Sequence, residues 1–181
     1  ARANAEVLQT PRWASQAQPV YGRGFLYSAR YTPMTHRILI ADDNQANREL
    51  LEAYLSDVEC EVRTAADGQE TLDLVSSFQP DLILLDIMMP KRSGFEVCSQ
   101  VKNDATTKHI MILMVTALNE RGDIERAVDS GTDDFLSKPI ERIELLQRVK
   151  NMLELKGVRD ENERLRQYIQ RMEDTPPDAL D

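Results

Sequence analysis

The chain has 181 residues, 41% hydrophobic and 29% charged, which suffices for one ordinary domain with extensions at its ends. Its 22 basic and 31 acidic residues give a net charge of −9, a sign that repels nucleic-acid phosphates and anionic lipid and favours basic partners or bound cations. The longest strictly apolar run, Ile110–Val115, falls far short of the ~20 residues of a membrane span, and Cys60 and Cys98 lack the spacing of a zinc site or a disulfide framework. A soluble, cytoplasmic protein without nucleic-acid or membrane partners is predicted.

Residues 1–34 break every short apolar stretch with Pro, Gly, Ser or Gln and carry four Arg against one Glu, which predicts a disordered arm. From Arg37 the pattern becomes short apolar runs alternating with amphipathic stretches. Ile38–Ala41, Val62–Ala65, Leu82–Leu85, Ile110–Val115 and Phe135–Leu136 are predicted strands, and the continuous apolar character of the third and fourth fits a parallel sheet covered on both faces. Between them Gln45–Ser56, Gln69–Phe78, Phe95–Val101 and Ile124–Val128 are predicted helices, and Ile143, Leu146, Val149 and Leu153 set the face of a last one. Asp67-Gly68, Pro80 and Gly131 punctuate the units. Strands alternating with helices imply right-handed βα crossovers and a doubly wound α/β domain over residues 35–153.

In such a sheet the functional crevice opens at the carboxyl ends of the strands. The first predicted strand ends in Asp42-Asp43 and the third runs into Asp86, so three carboxylates are delivered to one edge. One Asp there is commonly a helix cap, but three converging carboxylates repel one another and call for a cation. A hard, oxygen-liganded ion such as Mg²⁺, which keeps waters and accepts an incoming phosphate, suits them. The fourth strand ends in Thr116-Ala117, a hydroxyl beside a small residue, and the fifth brings Lys138 to the same edge before Pro139. Carboxylates, a cation, a hydroxyl and an ammonium make a site for phosphoryl transfer to an Asp oxygen.

The ordered set Ile38-Leu39-Ile40-Ala41-Asp42-Asp43, Asp81–Pro90 with Ser93-Gly94-Phe95, Val115-Thr116-Ala117 and Gly131–Pro139 resembles the receiver domain of bacterial two-component response regulators. The resemblance covers roughly residues 35–153. It implies a flavodoxin-like fold with a five-stranded parallel sheet in the order 2-1-3-4-5. It implies that Asp86 accepts a phosphoryl group from a histidine kinase or phosphotransfer protein, and that Mg²⁺ is held by Asp43, Asp86 and the backbone carbonyl of Met88, with Asp42 acting through water. Thr116 and Lys138 would contact the phosphoryl group, Phe135 would be the switch aromatic that turns inward, and Lys138-Pro139 would be cis. Met88 and Leu118 would flank the site and tune the lifetime of the phosphorylated state. There is no GxxxxGK[ST] loop and no GxGxxG, and Asp86-Ile87-Met88 lacks the second Asp of the DxD phosphatases. His36 and His109 are flank residues in this reading.

Beyond Leu153 a heptad continues, with Leu155, Asn162 and Ile169 at a and Val158, Leu165 and Met172 at d. Glu154 with Arg159 and Glu161 with Arg166 fall at g and the following e, the spacing of interchain ion pairs in a parallel homodimer through residues 154–173. A merely solvated helix is the alternative, since three heptads are short and Gly157 costs about 1 kcal/mol of helix propensity. Pro176-Pro177 lie in a predicted flexible tail, residues 174–181. The function that emerges is a phosphorylation switch read by an unknown downstream protein or by dimerisation, catalysing only its own phosphorylation and dephosphorylation. A Mg²⁺-dependent aspartyl-phosphate phosphotransferase or phosphatase, a receiver fragment of a larger regulator lacking its output domain, and a purely structural dimerisation module stand as alternatives.

Overall fold

Buried apolar residues that alternate between two faces build the sheet of this protein. The computed structural model describes residues 35–117, 126 and 128–173. Five strands, β1 (His36–Ala41), β2 (Cys60–Ala65), β3 (Leu82–Leu85), β4 (Met111–Thr116) and β5 (Asp134–Ser137), are joined by helices α1 (Gln45–Leu55), α2 (Gly68–Phe78) and α3 (Gly94–Asn103) and followed by α4 (Arg142–Glu173). All neighbouring strands are parallel and their order is β2-β1-β3-β4-β5. The predicted fold and strand order are those observed. The arm over residues 1–34, the tail over 174–181 and Leu118 lie outside the described residues, as does most of the helix expected at Ile124–Val128, where Arg126 and Val128 are helical.

Leu39, Ile83, Leu85, Ile112 and Met114 form one core with Leu72 and Val75 of α2 and Val97, Cys98 and Val101 of α3. Their neighbours Ile38, Ile40, Leu82, Leu84, Met111 and Leu113 point the other way, onto Leu51 and Leu55 of α1 and Leu145, Val149 and Met152 of α4. Burying each such side chain stabilises the fold by about 1.5–3 kcal/mol. Central strands covered on both faces can have no polar alternation, which is why β3 and β4 read as unbroken apolar runs. The edge strand β2 alternates instead, with Glu61 and Arg63 exposed.

Local chemistry fixes the helix starts. Asn44 accepts from Ala46 N at 2.9 Å at the start of α1, Asp67 accepts from Gln69 N and Glu70 N at the start of α2, and Ser93 with Glu96 closes a reciprocal capping box on α3. Gly131 sits at φ +87°, the left-handed geometry read from its place after a helix. In α4 the phase differs from the reading made on sequence. Ile143 is 81% exposed, because the buried stripe is Leu145, Val149, Met152 and Lys156, and a residue two positions before Leu145 is rotated roughly 200° away from it.

Lys156 continues that stripe to the amino-terminal edge of the sheet. Its Nζ lies 3.2 Å from Asp81 and 2.6 Å from Asp160, and these carboxylates hold the ammonium charged despite burial that alone would disfavour it. One turn on, Arg159 meets Asp133 at 3.1 Å, and Asp133 is held in turn by Lys102 at 2.5 Å and by Ile112 N at 2.9 Å. Among the described residues no helix is long and apolar enough to cross a membrane.

Candidate functional site

The register of β1 and β3 sets the site. Ala41 pairs with Leu85, and the ladder continues one step as Asp86 N donates to Ala41 O at 2.8 Å, so the next residues, Asp42 and Asp86, emerge side by side at the carboxyl edge. Asp42, Asp43 and Asp86 present carboxylate oxygens all within 4.8 Å of one another. Asp42 and Asp86 are buried and Asp43 is exposed, which leaves the group open to solvent on one side.

Lys138 spans the two buried acids, its Nζ 2.8 Å from Asp42 Oδ2 and 2.7 Å from Asp86 Oδ2. Its backbone N–H donates to Thr116 O at 2.8 Å, so the ends of β4 and β5 are tied together beneath it, and the Lys138-Pro139 bond is cis. The other oxygen of Asp86 accepts from Ile87 N at 2.7 Å and from Met88 N at 3.4 Å, which fixes the carboxyl plane. Desolvation dominates at Asp86 and pushes its carboxyl above the usual range, against the lowering pull of Lys138. The ammonium of Lys138 is disfavoured by burial but ends above its ordinary value, because it donates to both carboxylates.

Three clustered carboxylates against one ammonium leave negative charge uncompensated. Their oxygen donors, the exposed flank at Asp43 and the short mutual distances fit a hard divalent cation such as Mg²⁺. Thr116 is buried at the end of β4 beside the carboxylates' edge, whereas Phe135, on β5, is 38% exposed and directed outward. Met88 is exposed at the rim. The candidates Asp42, Asp43, Asp86 and Lys138 are therefore brought together directly, with Thr116 joined to them through Lys138.

Asn47 and Arg48 are not singled out by the sequence. Asn47 donates to both oxygens of Asp42, at 3.1 and 3.0 Å, and Arg48 donates to the Asp42 carbonyl at 2.7 Å, so the first turn of α1 holds the acid in place. A polar residue one turn into the helix after an acidic pair is the available signal. Gly94, part of the motif read from sequence, has a steric reason: a Cβ there would stand 2.2 Å from the Asp86 carbonyl oxygen, so only glycine lets α3 start against the phosphoacceptor candidate's backbone. Near the rim, Lys91 and Asp67 pair at 2.6 Å, which lowers the carboxyl of Asp67.

Comparison with known proteins gives one consistent answer. The family model for the response regulator receiver domain matches residues 38–150. The chain is 47% identical over 128 residues to the response regulator PleD of Caulobacter vibrioides, covering 71% of this chain and 28% of that protein. It is 43% identical over 117 residues to the DNA-binding dual master transcriptional regulator RpaA of Synechocystis, covering 65% and 48% respectively. The chain thus spans half or less of the length of these relatives. Among solved structures, a CheY-like receiver domain protein from Methanospirillum hungatei superposes with a TM-score of 0.64 at 26% identity over 68% of this chain and 98% of its own. A two-component response regulator from Clostridium difficile does so with a TM-score of 0.62 at 29% identity, over 66% and 96%.

Proposed function

The chain belongs to the response regulator receiver domain family, whose members are phosphoacceptor signalling switches, and on that premise we propose that Asp86 is the residue phosphorylated. The observation that carries this assignment is the arrangement at the carboxyl edge. Asp86 stands among two further carboxylates and a lysine, its plane held by backbone N–H groups. An Asp86 carboxylate oxygen bonds to phosphorus in line as the bond from phosphorus to the donor's imidazole nitrogen breaks. The electron pair leaves with the imidazole, which takes up a proton. Lys138, released from one carboxylate, neutralises a phosphoryl oxygen, and the Thr116 hydroxyl donates to another.

Asp43, Asp86 and the Met88 carbonyl would hold a Mg²⁺ ion, which when bound would supply positive charge against the phosphoryl oxygens. Asn47 and Arg48 keep Asp42 oriented throughout. The donor is a histidine kinase or phosphotransfer protein, and the exchange takes place in the cytoplasm, a compartment that suits the free thiols of Cys60 and Cys98. Residues 35–153 act as the receiver and 154–173 as its extension. Phosphorylation shifts a two-state equilibrium only as far as the phosphoryl group binds one state better, and Thr116, at the carboxyl end of β4, and Phe135, on the adjacent β5 opposite Met114, are the pair whose rearrangement reports it to another protein or to a second copy. Apart from adding and losing this group the chain turns over no substrate.

Intact mass after incubation with acetyl phosphate and Mg²⁺ tests the reading. One added phosphoryl group is expected on the wild type and none on Asp86→Ala. Steady turnover of p-nitrophenyl phosphate would instead favour a phosphatase.

A further inference from the structure

Beyond the sheet, α4 presents a face that none of the described residues covers. Every described side chain from Gly157 to Gln170 is exposed, yet the stretch is not uniformly polar. Leu155, Val158, Leu165 and Ile169 are each more than half exposed and, with Asn162 at the position between the two pairs, follow three- and four-residue steps along one stripe. This stripe is offset by one residue, about 100°, from the buried stripe that ends at Lys156, so it is not an overrun of the domain's own packing.

We infer that this stripe is a dimer seam on which a second copy of the chain docks in parallel and in register over residues 154–173. The inference deepens the phosphoacceptor reading and rests on it only for what the dimer would report. Charge selects the occupant and its direction. In a parallel pair each g position faces the following e position of the other helix, so Glu154 meets Arg159 and Glu161 meets Arg166, opposite signs in both cases. An antiparallel pair would set Glu against Glu and Arg against Arg. Asn162 agrees: in parallel register it faces its own copy and satisfies its amide, whereas antiparallel packing would press it against an apolar d residue.

The receiver supplies what a three-heptad helix lacks on its own. The seam is the continuation of a helix 32 residues long whose first half is packed on the sheet, so its costly nucleation is already met. The Asp81–Lys156 and Asp133–Arg159 pairs fasten the helix at the point where it leaves the sheet, and thereby fix the direction in which the stripe faces. Arg159 belongs to both arrangements, since it bonds its own Asp133 in the single chain and faces Glu154 of the second copy in the dimer. Asp133 lies directly before β5, two residues from Phe135, so the seam shares a charged group with the element proposed to switch.

Sedimentation velocity on the full chain decides the matter. The wild type should be dimeric, and Leu165→Glu, at an exposed position that leaves thermal unfolding of the receiver unchanged, should raise the apparent dissociation constant at least about tenfold. Glu161→Arg should weaken the dimer comparably, and adding Arg166→Glu should restore it. Val158→Cys and Leu165→Cys, made separately, should each oxidise to a self-linked dimer, since an antiparallel pair can bring at most one of these positions onto itself. A monomeric wild type, a dimer indifferent to Leu165→Glu, or self-linking at one position alone would overturn the inference. Phosphoryl uptake is read separately by mass: a monomer that is still phosphorylated overturns the seam and spares the phosphoacceptor reading, and a dimer without uptake does the reverse.

Discussion

The two edges of the sheet use the same residue types to opposite ends. At the amino edge Asp81 and Asp133 face Lys156, Lys102 and Arg159, so each carboxylate has at least one cation and further backbone donors. At the carboxyl edge Asp42 and Asp86 share Lys138, and Asp43 adds a third carboxylate to the group. A balanced set of charges fixes where a helix runs. An unbalanced one costs stability and is kept where an incoming cation and phosphoryl group complete it.

The comparison can be broken by single substitutions. Gly94→Ala has the largest expected effect, a loss of about 3 kcal/mol in urea unfolding, because the new methyl meets the Asp86 backbone with no flexible side chain to yield. A loss below about 1 kcal/mol would show that α3 can shift. At the balanced edge, Asp133→Ala should cost about 2 kcal/mol, since it takes the counter-charge from the largely buried ammonium of Lys102, which keeps the Ile110 carbonyl, and strands the N–H of Ile112.

Asp86→Asn should act in the opposite sense and stabilise the fold at neutral pH. The folded-state carboxyl is raised, chiefly by desolvation, so its ionisation opposes folding; wild-type stability falls as pH rises from the unfolded carboxyl value, about 4, through the raised folded one. The advantage of Asp86→Asn should therefore shrink as pH is lowered toward about 4. Unfolding curves at two pH values check this, and a destabilised Asp86→Asn would mean that the pocket is balanced after all. The smallest change is a gain of up to about 1 kcal/mol for Gly157→Ala, where a Cβ meets nothing within 4 Å and the helix loses a glycine.

Most of the carboxyl edge was legible in the sequence, because strands buried on both faces announce themselves and the residue after each strand end is a short list. β3 was read with the bounds observed, Leu82–Leu85. β2 begins at Cys60, two residues before the predicted start, since an edge strand alternates and its first residues are half exposed. The amino edge was not legible. Lys156 looks like any solvated helix lysine until its place eleven residues after Leu145 puts it on the buried stripe, and its partner Asp81 is 75 positions earlier in the chain. Ile143 failed for the converse reason: an apolar residue before the first buried turn has no phase until that turn is placed. Asn47 does not stand out, because a polar residue in a first helical turn is ordinarily solvated and only the fold shows that it donates to both oxygens of Asp42.

The claim that the unbalanced edge is the phosphoacceptor is tested most directly by finding where the phosphoryl group sits. After exposure to acetyl phosphate and Mg²⁺, borohydride reduction converts an aspartyl phosphate to homoserine, which peptide mass spectrometry locates. Homoserine at position 86 of the wild type is expected. Homoserine at Asp42, Asp43 or an acid of the amino edge, with Asp86 unmodified, would contradict the account.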